Sequence, residues 1–204
     1  LQDASRQKDT KPWVLYVGFV APHFPLVVPE EFYAMYPTES LPPRKLDPDN
    51  GYVRHPWLQR MDDFTQVDRH LTPERRLMAV AAYFGLCSFV DDQIGRVLGA
   101  LEASGLTGDT RVIYCSDHGD NVGARGMWGK SNMYEESAGI PLIAAGPDIP
   151  EGKSLATPVS LLDSYQTILE GCGLEPKGAE RELQGQSWFT IAGEEDDRAR
   201  VAFS

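Results

Sequence analysis

Four residues carry the chemical interest of this chain: His23, Asp117, His118 and Lys130. The stretch "SDHGDNVGARGMWGK" (116–130) opens with an acid and a histidine side by side and closes on a lysine. An aspartate oxygen and an imidazole nitrogen make a workable pair for a divalent cation, one hard ligand and one borderline. A lysine in a loop punctuated by Gly123, Gly126 and Gly129 could reach back to an anion held at that cation. His23, in "VGFVAPHFP", would join them if its segment ends at the same edge. Taken singly, each has a plainer reading. An Asp after a strand often caps a helix, a loop His bonds to backbone, and a Lys is usually solvated. Trp128 and Met127 read as packing residues. The combination points to chemistry on a charged oxyanion ester.

The elements that must place these residues follow from patterning. "PWVLYVGFV" (12–20), "TRVIYCS" (110–116) and "GIPLIAAG" (139–146) read as short buried strands. "APHFPLVVP" (21–29) must leave the first strand, because three prolines oppose both helix and ladder. "PEEFYAMY" (29–36) predicts a short helix with Pro29 at its first position. Residues 37–64 read as a long irregular excursion. Over 72–106 the spacing predicts a long helix, with Thr72 as N-cap, Gly105 as its stop, and a buried stripe through Leu77, Ala81, Phe84, Cys87 or Ser88, Asp91, Ile94, Leu98 and Leu101. Residues 160–174 predict an amphipathic helix ended by Gly171 and Gly173, 193–200 a solvated charged turn, and 201–204 the start of a strand. Alternating strands and helices imply an α/β layered fold with a mainly parallel central sheet, 12–116 approximating a β–α–β crossover. In such sheets ligands bind beyond the carboxyl ends of the strands, where His23, Asp117 and His118 would stand.

The 204 residues suffice for one sizeable domain. A formal net charge of −11 argues against nucleic acid as a partner, since phosphate backbones call for clustered Lys and Arg. No apolar run reads as a bilayer span. Cys87, Cys115 and Cys172 show neither CxxC nor zinc-like spacing. Their odd number predicts reduced, mostly buried thiols, which favours a cytoplasmic setting, with a periplasmic one as the alternative. With no starting Met, and a strand pattern within about a dozen residues, the first residue does not read as a natural start.

At this point the residues resemble a family. "VIYCSDHGDNVGARGMWGKSNMYEESAGIPLI" resembles the second metal segment of the sulfatases in the alkaline phosphatase superfamily. "VGFVAPHFPLVVPEEF" is similar to its His-x-Pro segment, "PVSLLDSYQTILEGCGL" to a later helix, and "LQGQSWFTIAGE" to a later turn. The resemblance is collinear over nearly the whole chain and looks closest to the choline-sulfatase branch, with arylsulfatases beside it. It implies a partial catalytic domain, 1–204, of alkaline-phosphatase-like fold. Asp117 and His118 would supply part of a divalent-cation shell, with Ca2+ the first choice and Mn2+ or Mg2+ the alternatives. Lys130 and His23 would bind non-bridging oxygens of a small-molecule sulfate ester, and one of them would stabilise or protonate the leaving alkoxide.

The family's formylglycine nucleophile arises from Cys or Ser in C/S-x-P/A-x-R. None of "GLCSF", "IYCSD" or "EGCGL" matches. "SLPPR" (40–44) matches literally, but it follows the His-x-Pro segment, whereas the family places its nucleophile well before it. The nucleophile, and the paired aspartates that complete the metal site, would precede residue 1, and this chain alone should lack turnover. Phosphonate monoester and phosphodiester hydrolases of the same superfamily share the Asp-His pair and remain the rival reading. A ligand-binding module that kept the fold without catalysis is the rival of another class.

Overall fold

The computed structural model describes Leu1 and residues 11–202. Six α-helices occur among the described residues: α1 (Glu30–Tyr33), α2 (Pro56–Thr65), α3 (Pro73–Ala103), α4 (Glu135–Ala138), α5 (Asp163–Gly171) and α6 (Trp188–Gly193). Strands β1 (Val112–Cys115) and β2 (Leu142–Ala145) form a two-stranded sheet. The chain divides into two compact units. The first gathers Leu1–Tyr16, Gly99–Asp117 and Pro141–Ser204; the second gathers Val17–Leu98 and His118–Ile140.

In the first unit β1 and β2 are antiparallel, with Val112 opposite Ala145 and Cys115 opposite Leu142. This corrects the expected parallel pairing. Parallel neighbours need a long crossover, usually helical. The chain between β1 and β2 has only the four-residue α4 as α-helix, so it supplies no such crossover. Gly146, at φ 125°, ends β2 where an added Cβ would lie 2.5 Å from the Thr110 carbonyl oxygen. Around the sheet, α5 and α6 share a core of Trp188, Ile191 and the fully buried Thr167. The Thr167 hydroxyl donates to the Asp163 carbonyl at 2.8 Å and accepts from the Trp188 N–H at 2.9 Å. The buried Asp163 carboxylate accepts from the Ser160 and Gln186 amides and from Arg200. Burial pushes its pKa up, but those three donors outweigh it and leave it below the usual range. Residues 193–200 are therefore not a merely solvated turn: Arg200 pairs with Asp163 at 2.6 Å, and Asp196 accepts the Ala156 N–H at 2.7 Å. Val201 and Ala202 form no strand, and the rest of that expected strand lies outside the described residues.

The segment 12–20 joins no ladder among the described residues. Tyr16 is 89% and Val20 82% exposed. Composition marks a segment that suits a strand, but a strand forms only against a partner edge. The β–α–β crossover expected over 12–116 is accordingly absent here.

The second unit is built on α3. Thr72 caps it, its hydroxyl accepting the Arg75 N–H at 3.2 Å, and Gly105, at φ 73°, follows its end. The buried stripe differs from the expected one. Ala81, Ala82, Leu86 and Val90 are buried, whereas Leu77, Cys87 and Leu98 are exposed. Small residues decide the face: a Cβ on Gly85 would meet the Phe32 carbonyl oxygen at 3.0 Å and Val28 at 3.1 Å. α1 and its flanks pack there, with Phe32 edge-on to Phe89 and the Tyr36 hydroxyl 2.6 Å from that of Ser88. Pro29 is the N-cap of α1 rather than its first residue.

Three further expectations are corrected. α3 is, by length and composition only, apolar enough to cross a membrane, although part of it serves as core. The cysteines are free, but Cys87 and Cys115 are exposed and Cys172 half-buried. The excursion 37–64 gives way at Pro56 to a ten-residue helix, α2, started by Pro56 at N1 and by His55, whose Nδ1 accepts the Trp57 N–H at 3.2 Å. Prolines that read as breakers also start helices.

Candidate active site

In the second unit the loop 118–130 is closed by its own hydrogen bonds. The Asp120 carboxylate accepts the Val122 and Gly129 amides at 2.8 and 3.0 Å. From the other side, the Asn121 backbone and side-chain amides both donate to the Gly129 carbonyl, at 2.8 and 2.6 Å. Gly129 is thus held at both its N–H and its C=O, and the next residue is Lys130. At the loop's entry the Gly119 N–H donates to Ser137 at 2.8 Å. A Cβ on Gly119 would overlap the Glu136 carbonyl oxygen, so only glycine permits this approach.

The supposed excursion grips this loop from outside. The Arg44 Nε donates to the Gly123 carbonyl at 2.9 Å, and its Nη2 to Asp68 at 2.6 Å. Asp68 also accepts the Trp128 indole N–H at 3.0 Å and the Arg76 Nε at 3.1 Å. Burial raises the Asp68 pKa, but the indole and two guanidiniums outweigh it and hold the carboxyl below its usual range. The Arg54 Nε donates to the Arg125 carbonyl at 2.6 Å, and its Nη1 to Asp62 at 2.8 Å. Arg125 is left-handed at φ 54°, a conformation that costs a side-chain-bearing residue about 1 kcal/mol or more. It is held there by the Lys45 carbonyl, by Glu136 at 2.6 Å and by the Tyr134 ring, 3.8 Å below its guanidinium. Burial would raise the Glu136 pKa; hydrogen bonds donated by Lys45, by its own backbone N–H and by Arg125 win, and bring it down to about 2.

Sequence reasoning missed these supporting residues. The available signal was the density of arginines and aspartates between 44 and 76, unusual for a loop that only crosses a surface. The structure also gives Arg44 of "SLPPR" a positional task, while the exposed Ser40 hydroxyl donates to the Pro37 carbonyl at 2.8 Å.

The loop brings Lys130, His118 and His23 together. The Lys130 Nζ lies 2.5 Å from the His118 Nε2 and 3.1 Å from the His23 Nε2. The imidazole centroids are 5.7 Å apart at 67°. Each Nδ1 faces a carbonyl at 2.8 Å, Phe24 for His23 and Gly119 for His118. A carbonyl can only accept, so each Nδ1 carries its hydrogen there, and each Nε2 offers a lone pair to the ammonium. His23 is itself placed by its N–H to the Val20 carbonyl at 3.0 Å, between the cis peptides Ala21–Pro22 and Phe24–Pro25. Chemically this is a half-buried ammonium flanked by two imidazoles of fixed orientation: donors suited to an anion and a proton carrier beside it.

Asp117, the residue before His118, belongs to the first unit. Among the described residues no set of three or more His, Cys, Asp or Glu could hold a metal ion.

Three comparisons bear on what this constellation belongs to. The chain is 35% identical over 170 residues to a sulfatase of Formosa agariphila, covering 81% of this chain and 33% of that protein. It is 35% identical over 184 residues to the choline-sulfatase of Rhizobium meliloti, covering 85% and 35%. Among solved structures, the phosphonate monoester hydrolase SpPMH from Silicibacter pomeroyi superposes with a TM-score of 0.74 at 30% identity, over 88% of this chain and 37% of that one. The chain thus spans about a third of the length of the curated relatives it matches. The Sulfatase family model matches residues 1–174, most of the chain, and on that match the chain belongs to the Sulfatase family.

Proposed function

We propose that the whole protein hydrolyses small-molecule sulfuric esters, R–O–SO3− and water giving R–OH and hydrogen sulfate, and that this chain supplies part of its anion site. Sulfate ester hydrolysis is the family-level activity. The observation that carries the reading is the convergence of the Lys130 ammonium with the His23 and His118 imidazoles at the base of a self-closed loop. In this reading Lys130 binds a non-bridging sulfate oxygen, and His23, carrying a further proton on Nε2 when the ester is bound, binds a second oxygen or gives that proton to the leaving alkoxide. Both roles help most as charge grows on the departing oxygen.

Family members generally use a divalent cation and a formylglycine. Here Asp117 and His118 are proposed as part of the cation's shell, with Ca2+ first and Mn2+ or Mg2+ as alternatives, the other ligands and the nucleophile lying outside these residues. His118 Nε2 has one lone pair, so an ammonium and a cation cannot both hold it. The 204-residue chain alone is expected to be inactive. The fold-level likeness to SpPMH favours phosphonate monoester hydrolysis as a second reading. The test is nitrophenolate release by the full-length protein from 4-nitrophenyl sulfate and from 4-nitrophenyl phenylphosphonate, side by side. Faster sulfate turnover supports the first reading, faster phosphonate turnover the second. Loss of neither ester would leave a binding module.

A further inference from the structure

We propose that Asp68 and Trp128 are positioning residues for Lys130: the indole N–H held by the buried carboxylate sets where the ammonium stands. The inference rests on the reading of Lys130 as the anion-binding group. Asp68 is only 7% exposed, yet its carboxylate collects three side chains from separate stretches of chain. Trp128 Nε1 donates to Oδ1 at 3.0 Å, Arg44 to Oδ2 at 2.6 Å, and Arg76 to both oxygens at 3.1 Å.

Two of these donors lead into the loop that carries Lys130. Arg44 also holds the Gly123 carbonyl, on the loop's outgoing arm. Trp128 lies on the returning arm, two residues before Lys130. Around it stand Gly126 and Gly129, both at φ 70°. The loop's own bonds from Asp120 and Asn121 hold the backbone at Gly129, whereas the Trp128 side chain is held from outside the loop, by Asp68. The indole bond is a direct tie from that arm to a buried charged node. Bonds of this type, to an ionised acceptor in a half-buried setting, are among the stronger ones.

The arrangement also explains why a tryptophan stands here. Its ring lies against Gly123, where an added Cβ would come within 3.2 Å of it. Ring packing alone would be met by phenylalanine. The N–H is the part that phenylalanine lacks, and it is the part that Asp68 uses.

A double-mutant cycle in the full-length protein separates positioning from mere folding. The variants are Trp128→Phe, Lys130→Ala and the pair, assayed for kcat/KM on 4-nitrophenyl sulfate and on 4-nitrophenyl phenylphosphonate, each on whichever ester turns over. Trp128→Phe should cost about tenfold or more with Lys130 present, since small misplacements of a working group are expensive. In the Lys130→Ala background it should cost less than about twofold, because there is no ammonium left to place. Asp68→Asn, which replaces the charged acceptor by a neutral one and sets an amide NH2 against the arginines, gives a second cycle with a smaller loss in the same direction should the phenylalanine variant fold poorly. Equal cost in both backgrounds would overturn positioning, as would a silent Trp128→Phe beside a costly Lys130→Ala. A silent Lys130→Ala would instead overturn the reading of Lys130 itself, and the inference with it.

Discussion

The loop 118–130 and the segment 11–20 are opposites. The loop has few apolar residues and three glycines after Gly119, yet Asn121 and Gly123 to Met127 are buried. The segment is almost wholly apolar from Trp13 to Val20, yet every residue of it is exposed. Hydrogen-bond closure accounts for the difference. The loop meets its backbone's needs locally, through Asp120 and Asn121 on Gly129, and from one neighbouring segment through Arg44 and Arg54. Of the segment's backbone groups the Val20 carbonyl accepts the His23 N–H in a turn, and among the described residues no ladder pairs the segment with another strand. Apolar content is a demand for burial, not a means of obtaining it.

The most severe way to break the loop's side of this contrast is to remove what the loop delivers. Lys130→Ala in the full-length protein should lower turnover by about 10²–10³. Bound metal, measured by elemental analysis, should stay at the wild-type level, because an ammonium is not a cation ligand. Unchanged turnover with lost metal would mean that the role is wrongly assigned. Gly119→Ala attacks the scaffold instead. Its Cβ would overlap backbone, the Glu136 carbonyl, and the Gly119–Ser137 bond would open with it. A loss of about 3 kcal/mol is expected, read as a lower urea midpoint at unchanged slope.

How much of this was legible beforehand depended on how local the cause was. The ends of α3 and the stop after α5 followed from Thr72, Gly105 and Gly173, whose effects reach only a few residues. Asp117, His118 and Lys130 drew attention because their types and spacing lie within one stretch, and the structure brings His118 and Lys130 to 2.5 Å, with His23 alongside. The Asp68 node was invisible, since its donors Arg44, Arg76 and Trp128 are scattered over some eighty positions and no local pattern links them. α2 was hidden by reading Pro56 only as a breaker. The antiparallel pairing of β1 with β2 was not legible for another reason: pairing partner and direction depend on the rest of the fold, not on the strand's own letters.

Acid probes the loop's outer support more gently. Glu136 has its carboxyl held at about 2 in the folded chain, against an ordinary 4.5. A depressed carboxylate contributes its full stabilisation above the ordinary value and loses it as pH falls toward the folded one. Stability should therefore drop between about pH 4.5 and pH 2, by about 2 kcal/mol once partial exposure is discounted. Asp68 and Asp163 are also held low and add to the same slope. Denaturation midpoints of wild type and Glu136→Gln, measured across this range, isolate the Glu136 share. Parallel curves would remove Glu136 from the account.

The smallest effect belongs to the exposed segment, and its smallness is the point. Tyr16 is a large aromatic residue in the middle of the most strand-like stretch, and by composition alone Tyr16→Ser should be damaging. At 89% exposure the ring has almost no area to lose from burial. No ladder among the described residues runs through residue 16, so no cross-strand pair is broken there either. In the 204-residue chain the substitution should shift the unfolding free energy by less than about 0.5 kcal/mol, the range of ordinary surface changes. The polar replacement should also reduce binding of a dye that reports exposed apolar surface, such as anilinonaphthalene sulfonate, because it removes part of that surface. A loss of 2 kcal/mol or more would show that residue 16 is packed in solution, and the contrast between self-closed loop and exposed segment would fall with it.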